Sequence, residues 1–103
     1  MQKARYEIVL PLNKNDGTTQ PIELIHRTMD ELVNTFGGVT RQAASEGIWK
    51  FENTTYRDSN NVLAVDVEDT EDTVSFMKIL KEVLEQRFEQ TAIYITRHPI
   101  EVL

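Results

Sequence analysis

The chain has 103 residues, no cysteine, and 17 acidic against 11 basic side chains, which give a formal net charge of −6. This length predicts one domain, residues 1–103, with a single modest core. The acidic balance argues against binding to DNA, RNA or an anionic membrane surface, since Lys and Arg hold these partners. No stretch approaches the roughly 20 apolar residues of a membrane span. The lack of cysteine and of a secretory signal indicates a cytoplasmic location.

Hydrophobic patterning predicts a strand and then a helix in the first third of the chain. Residues 6–10 alternate and are rich in strand formers, and Pro11 ends this strand or places it at a sheet edge. A polar segment with an Asn-Asp-Gly turn signal follows. Pro21 suits the first turn of a helix, and Gly37 with Gly38 supplies its left-handed C-terminal cap. The apolar face of this helix comprises Ile22, Ile25, Met29, Leu32, Val33 and Phe36.

The middle of the chain predicts short strands separated by breaks. Residues 39–43 form a plausible strand, and residues 45–47 interrupt it. Residues 48–52 form a second candidate strand, which a two-residue turn at Asn53-Thr54 would lead into residues 55–57. The sequence therefore predicts a hairpin in this region.

The predicted hairpin would gather the aromatic side chains of this region. It would set Phe51 opposite Tyr56, with Trp49 on the same face, because side chains alternate along a strand. One interpretation is an aromatic cluster that closes one end of a small core. The other is that these rings form the rim of a pocket.

A strand and a second helix follow. Residues 62–67 predict a strand whose apolar start indicates a central position, after a break at Asn60-Asn61. Asp69 or Thr70 caps the following helix, and acids in its first turn complement the helix dipole. This helix is expected to run to about Glu89.

A last main strand over residues 91–96 completes the order strand, helix, strand, strand, helix, strand. The Arg-His-Pro tripeptide breaks it, and residues 100–103 are expected to form a short terminal strand. This order predicts an α+β fold, a ferredoxin-like βαββαβ sandwich. Its antiparallel sheet would carry two helices on one face and an inserted hairpin around residues 48–57.

The face of the sheet away from the helices is expected to be covered. A solvated face should be polar in one strand phase, but several strands carry apolar residues in both phases. The neighbouring pairs are Ile8 and Val9, Leu63 and Ala64, and Ile93 and Tyr94. Large exposed apolar patches usually mark interfaces. We therefore expect a homo-oligomer, most simply a dimer, with another protein as the alternative partner.

The sequence contains no recognisable motif for catalysis or metal binding. His26 and His98 lie far apart with no cysteine, which does not match the spacing of a zinc site. The acidic residues 66–72 lack the spacing and the glycine of a calcium loop. There is no phosphate loop and no serine in a nucleophile-elbow context. We therefore expect no metal ion and no cofactor, and we favour a protein without enzymatic activity.

The candidate ligand-binding residues are Trp49, Tyr56, Arg57 and Asp58, with His26 as a further candidate. An arginine beside aromatic rings can stack on them and hold a carboxylate or phosphate through two hydrogen bonds. These residues would then rim a pocket for an anionic or flat ligand. The alternative is a surface hairpin in which Arg57 covers Trp49 or pairs locally.

Part of the chain resembles a bacterial family of small α+β domains of unknown function. The family pattern has Gly-x-Trp, a short loop, Arg followed by an acid, a hydrophobic strand, and a helix that ends in Arg-Phe-x-Gln before the last strand. Within residues 45–96, the matching positions are Gly47, Trp49, Arg57, Asp58, Arg87, Phe88 and Gln90. The resemblance implies a compact α+β domain in which the tryptophan and the Arg-acid pair have linked positions. It implies no particular activity.

Two functions fit these expectations. The first is a non-enzymatic interaction module that self-associates through its β-sheet. The second is a small-molecule-binding protein or enzyme with a pocket at a dimer interface, in a dimeric α/β barrel or PII-like arrangement. In that case Trp49, Tyr56, Arg57 and His26 would line or rim the pocket.

Overall fold

Four antiparallel strands form one sheet that carries two helices. The computed structural model describes residues 2–103, apart from the side chains of Ala43 and Ala44. The elements are β1 (Lys3–Pro11), α1 (Ile22–Phe36), β2 (Thr40–Phe51), β3 (Thr54–Glu68), α2 (Glu71–Arg87) and β4 (Tyr94–Ile100). The strand order is β2-β3-β1-β4, with antiparallel neighbours throughout. This is the predicted ferredoxin-like βαββαβ fold. The predicted single domain, residues 1–103, also takes in Met1, which lies outside the described residues.

Local sequence signals set the C-terminal end of α1 and the N-terminal end of α2, as predicted. α1 ends where Gly37 adopts a φ of +88°, a conformation that favours glycine. α2 begins after Thr70, whose Oγ1 accepts a hydrogen bond from the backbone N–H of Thr73 (3.2 Å). The helix ends at Arg87, slightly earlier than predicted, because Glu89 adopts a φ of +53°, outside the helical region.

β2 and β3 are each one long strand, where the sequence predicted pairs of short strands. The breaks predicted at residues 45–47 and at Asn60-Asn61 lie inside these strands. Asn60 pairs on both sides, with Ser45 in β2 and with Pro11 in β1. This pairing between distant segments overrides the local turn signals. The other predicted break, residues 45–47, pairs regularly with residues 58–60, and a register irregularity lies just before it, between Gln42 and Ser45.

β4 begins and ends later than predicted. It runs through the Arg-His-Pro tripeptide, which was expected to break it. Pro99 lies opposite Ala4 in the outermost strand pair, and an edge strand tolerates a proline because only one side of it needs N–H donors. Residues 101–103 form no strand, contrary to the prediction.

One hydrophobic core lies between the helices and a single face of the sheet. The sheet residues of the core alternate along β1 and β3, so they share one face. They pack against apolar residues from both helices, which confirms that both helices cover the same face. The core comprises Ala4, Tyr6, Ile8, Leu10, Leu63, Val65 and Val67 from the sheet, Ile25, Leu32, Met77, Leu80 and Leu84 from the helices, and Phe88 and Ile93 after α2.

Arg87 joins the two helices from a nearly buried position. Its Nη1 donates to Thr28 Oγ1 (2.9 Å), and its Nη2 donates to Glu31 Oε1 (2.6 Å). The adjacent Phe88 is fully buried, and Gln90 Nε2 donates to the backbone carbonyl of Phe88 (3.1 Å). The Arg-Phe-x-Gln sequence therefore has a structural role, since it fastens the C-terminal end of α2.

We predict that Arg87→Ala lowers the free energy of unfolding by about 1–2 kcal/mol, because Thr28 and Glu31 lose a donor in a nearly buried position. Arg27→Ala is the matched control, since Arg27 Nε lies 3.3 Å from the same Glu31 Oε1 but is exposed. An exposed pair of this kind contributes about 0.3–0.5 kcal/mol. Urea unfolding of both variants measures the difference. Equal losses in the two variants would contradict the role assigned to Arg87.

Candidate functional site

The open face of the sheet, which we define as the face opposite the helices, carries charged side chains at one end. Arg5 Nε and Nη2 donate to Asp66 Oδ1 (2.7 Å) and Oδ2 (3.0 Å). His98 Nε2 lies 2.8 Å from Thr96 Oγ1 and 3.4 Å from Glu7 Oε1. Both partners contact the same ring nitrogen, so this group lacks the geometry of a catalytic relay, in which each nitrogen has its own partner. Arg5 with Asp66 and Glu7 with His98 are cross-strand pairs that stabilise the sheet, whereas Thr96 and His98 are neighbours within β4.

The other end of the open face is apolar. Val9, Val62 and Tyr94 lie side by side across β1, β3 and β4, and Ala64 follows Val62 in the same phase. Val62 and Ala64 are buried, whereas Tyr94 is 69% exposed. The predicted apolar second face is therefore present at this end, and the charged pairs occupy the rest.

β2 and β3 continue beyond the sheet as a two-stranded hairpin, which we call the ribbon (residues 46–58). The last pairing of β3 with β1 is Asn60 with Pro11, so the ribbon consists of β2 and β3 paired with each other without a third strand. The turn lies at residues 52–53, with Glu52 at a φ of +56°, and not at Asn53-Thr54 as predicted. The hairpin predicted around residues 48–57 is thus the outer end of two main strands and not an insertion.

Trp49, Tyr56 and Asp58 form a cluster on one face of the ribbon, which we call the ribbon cluster. The Trp49 and Tyr56 rings are a direct cross-strand pair and stack with centroids 4.3 Å apart and an interplanar angle of 15°. Trp49 Nε1 donates to Asp58 Oδ2 (2.9 Å). Asp58 lies opposite Gly47 in the strand pair. The hydrogen bond between Trp49 and Asp58 gives a physical reason for the linked positions of the tryptophan and the Arg-acid pair.

The ribbon cluster lies at the surface. Trp49 is 49% exposed, Tyr56 is 40% exposed and Phe51 is 61% exposed. The interpretation that these aromatic side chains close one end of the core is therefore wrong. Phe51 lies opposite Thr54 and not opposite Tyr56, because the turn comes one residue earlier than predicted.

Two of the predicted site residues lie apart from the ribbon cluster. Arg57 alternates with Tyr56 and Asp58 along β3, so its side chain faces the opposite side of the ribbon. There its Nη1 donates to Glu46 Oε1 (3.3 Å), which is a local pairing. His26 lies on the exposed surface of α1. The structure brings Trp49, Tyr56 and Asp58 together and does not add His26 to them.

A groove of about 800 Å³ lies beside the ribbon. The ribbon cluster and the apolar end of the open face contribute to its lining, together with loop residues around Lys14 and residues 90–93. Ligand sites of small molecules usually have volumes of about 300–1,000 Å³. The sequence analysis did not identify Tyr94 or the two loops as part of a site. Its one signal for Tyr94 was that this residue and its neighbour Ile93 are apolar in both strand phases. The lining includes four of the predicted site residues, Trp49, Tyr56, Arg57 and Asp58, and further side chains from Val9, Lys14, Asn60 and Tyr94.

Metal-binding clusters and membrane-spanning helices are both absent from the described part of the chain. Within residues 2–103, no group of three or more His, Cys, Asp or Glu side chains is placed to hold a metal ion. Over the same range, no helix has both the length and the apolar character needed to cross a membrane.

Comparisons by sequence found no relative. No protein-family model matches the chain, and no curated protein matches it significantly. The resemblance to the Gly-x-Trp family is therefore supported only as far as a small α+β domain, and not in its specific sequence pattern.

Comparisons by structure show the fold. CutA1 from Oryza sativa matches with a TM-score of 0.64 and 16% identity, covering 100% of this chain and 84% of that one. The divalent cation tolerance protein CutA1 from Thermus thermophilus matches with a TM-score of 0.68 and 17% identity, covering 98% and 86%. A phage SAM lyase in complex with S-methyl-5′-thioadenosine matches with a TM-score of 0.73 and 15% identity, covering 94% and 81%. At these identities the likeness concerns the fold alone.

We predict that Trp49→Ala lowers the free energy of unfolding by about 1–2 kcal/mol, the scale of one stacked aromatic pair and one hydrogen bond. Phe88→Ala, at a fully buried position, is the reference and should cost about 3–5 kcal/mol. Chemical unfolding followed by circular dichroism measures both. If Trp49→Ala cost as much as Phe88→Ala, the surface position of the ribbon cluster would be contradicted.

The Arg5–Asp66 pair predicts a pH-dependent contribution to stability. Hydrogen bonds from Arg5 lower the pKa of Asp66 below its ordinary value. The pair therefore stabilises the fold above the pKa of an unfolded aspartate, about 3.9, and this stabilisation is lost as the pH falls through the lower folded pKa. Because both side chains are partly exposed, we expect Asp66→Asn to cost less than about 1 kcal/mol at neutral pH.

Urea unfolding of Asp66→Asn and wild type at neutral and acidic pH tests this expectation. The difference in stability between the two proteins should shrink toward zero in acid. There the wild-type carboxyl group is protonated and is therefore neutral, like the asparagine of the variant. Asp30→Asn on the exposed surface of α1 is the control, and it should show no such trend. A difference for Asp66→Asn that stays constant with pH would refute the contribution of the ion pair.

Proposed function

We propose that the protein is a self-associating domain, in which the ribbon and the apolar end of the open face of one copy contact a second copy. The observation that carries this proposal is the exposed apolar surface of the ribbon. Three large side chains on one face of the ribbon are each at least 40% exposed, namely Trp49, Phe51 and Tyr56. A two-stranded hairpin is at best marginally stable without further packing, and contiguous exposed apolar surface usually marks an interface. A second copy supplies the missing packing.

The distribution of charge supports the open face as the contact surface. The whole chain carries a net charge of −6, so two copies repel each other over most of their surfaces. The open face carries nearly balanced charge, and its pairs are largely neutralised within the sheet. Its charged side chains and its histidine are Lys3, Arg5, Glu7, Asp66, Glu68 and His98. Repulsion between copies is therefore smallest here. The simplest assembly is a dimer in the cytoplasm, where a cysteine-free chain needs no oxidising environment.

We propose small-molecule binding in the groove as a second function. The groove combines exposed aromatic rings with a carboxylate, as ligand pockets commonly do. The likeness in fold to a phage SAM lyase that holds S-methyl-5′-thioadenosine supports a ligand of small-molecule size. Asp58 is the one carboxylate in the described lining, and its hydrogen bond joins it to Trp49 and not to a nucleophile. We therefore propose binding without a catalytic step.

We predict that the wild-type protein sediments as an oligomer at micromolar concentration and that Val9→Lys shifts it to the monomer. The substitution places a charge in the apolar end of the open face, where a contact between copies would bury it. Val9 is half-buried in the single chain, so a lysine stem can lie along the sheet while its ammonium group stays in water. Sedimentation velocity measures the shift, and circular dichroism checks the fold.

Ile79→Lys is the matched control. Ile79 is 64% exposed on α2, on the side of the molecule away from the open face. The Ile79→Lys variant gains the same charge as Val9→Lys and should leave the oligomer intact. A monomeric wild-type protein, or equal dissociation by both variants, would contradict the proposed interface.

A further inference from the structure

The groove beside the ribbon carries side chains that together select one chemical class of ligand. Three aromatic rings line it, and they come from both the ribbon and the edge of the sheet. Trp49 and Tyr56 hold each other in a fixed stack, and Tyr94 stands 69% exposed on β4. Flat aromatic faces of this kind bind planar rings by stacking, and nucleobases are planar rings that stack in this way.

Asp58 supplies a carboxylate whose position is fixed on one side. Its Oδ2 accepts the hydrogen bond from Trp49 Nε1 (2.9 Å). No hydrogen bond within residues 2–103 uses Oδ1, and no ion pair in that range includes Asp58. A held carboxylate with a free oxygen is suited to accept hydrogen bonds from sugar hydroxyls, as acidic residues do in nucleotide-binding folds.

The two basic side chains in the described lining of the groove, Lys14 and Arg57, each lie close to a glutamate outside the lining. Lys14 Nζ lies 3.7 Å from Glu89 Oε2, and Arg57 Nη1 lies 3.3 Å from Glu46 Oε1. The unpaired charge that remains at the groove is the negative charge of Asp58. Phosphate recognition uses unpaired Arg or Lys, or backbone N–H groups at a helix N-terminus. This groove therefore disfavours phosphate and favours a ligand that is neutral or positively charged.

Amide side chains complete the lining. Asn60 and Gln90 both line the groove, and Gln90 Nε2 donates to the Phe88 carbonyl (3.1 Å), which orients the amide. Asn and Gln amides carry a donor and an acceptor, and this pair of groups matches the edge of adenine. We infer that the groove binds a purine nucleoside without a phosphate group, with the base on the aromatic rings and the ribose hydroxyls on Asp58. This inference rests on the proposed small-molecule function.

Trp49 makes the inference directly measurable. It is the one tryptophan of the chain and belongs to the ribbon cluster, so its fluorescence reports on the groove. The probes are S-methyl-5′-thioadenosine, which carries no phosphate, and AMP, which has the same base and sugar. We expect saturable quenching by the first probe, after correction for adenine absorbance, and binding of AMP that is weaker by about tenfold or more. Isothermal titration calorimetry confirms each affinity independently of the tryptophan.

Two variants separate the roles of charge and stacking. Asp58→Asn keeps an oxygen for Trp49 Nε1 but removes the negative charge, so it should weaken nucleoside binding and bring the affinities for the two probes closer together. A residue of merely structural importance would change both affinities alike. Tyr94→Leu should lower the affinity for both probes by a similar factor, because it removes a stacking surface. Ile79→Ala, outside the groove lining, should leave both affinities unchanged.

The outcomes distinguish the two levels of the proposal. Tighter or equal binding of AMP would overturn the exclusion of phosphate but leave small-molecule binding in the groove. If neither probe bound in the fluorescence or the calorimetry measurement, the nucleoside assignment would be overturned, whether the protein sediments as monomer or oligomer. An oligomer that binds neither probe would keep the self-association proposal while overturning the nucleoside assignment.

Discussion

The unequal lengths of β1 and β3 determine the form of this molecule. β3 has 15 residues, but β1 pairs with it only between Asn60 and Glu68. Beyond that point β3 pairs with β2 alone, and no residue of the ribbon belongs to the hydrophobic core. A ribbon of two strands exposes two faces and two edges, so its hydrophobic side chains meet water, a ligand or another copy. Both proposed functions follow from this geometry.

The parts of the fold that depend on local sequence could be predicted, and the parts that depend on distant pairing could not. The apolar period of α1 and the glycine at its C-terminal end are local features, and both gave the correct boundaries. The continuity of β3 through Asn60-Asn61 depends on Pro11 and Ser45, which are distant in the chain. The tolerance of Pro99 in β4 depends on the position of that strand at the edge of the sheet.

The candidate site could be predicted in composition but not in exposure or orientation. Trp49, Tyr56 and Asp58 are brought together by cross-strand pairing, as the hairpin prediction implied. Their exposure depends on where β1 stops, which no property of the hairpin itself reveals. The orientation of the Arg57 side chain could not be predicted, for a different reason. The alternation of side chains separates Arg57 from Tyr56 and Asp58, so an arginine next to the aromatic residues in sequence lies on the other side of the ribbon.

The two proposed functions use the same surface, and this makes them physically coupled. Trp49 and Tyr56 belong both to the exposed apolar surface of the ribbon and to the lining of the groove. A second copy that filled the groove would compete with a ligand. A second copy that covered the rim would instead exclude water from Asp58, and hydrogen bonds to a carboxylate strengthen in such surroundings. Because linkage is reciprocal, ligand and second copy would then each raise the affinity for the other. In that second case, the open groove of the single chain would be the weaker form of a site that assembly completes.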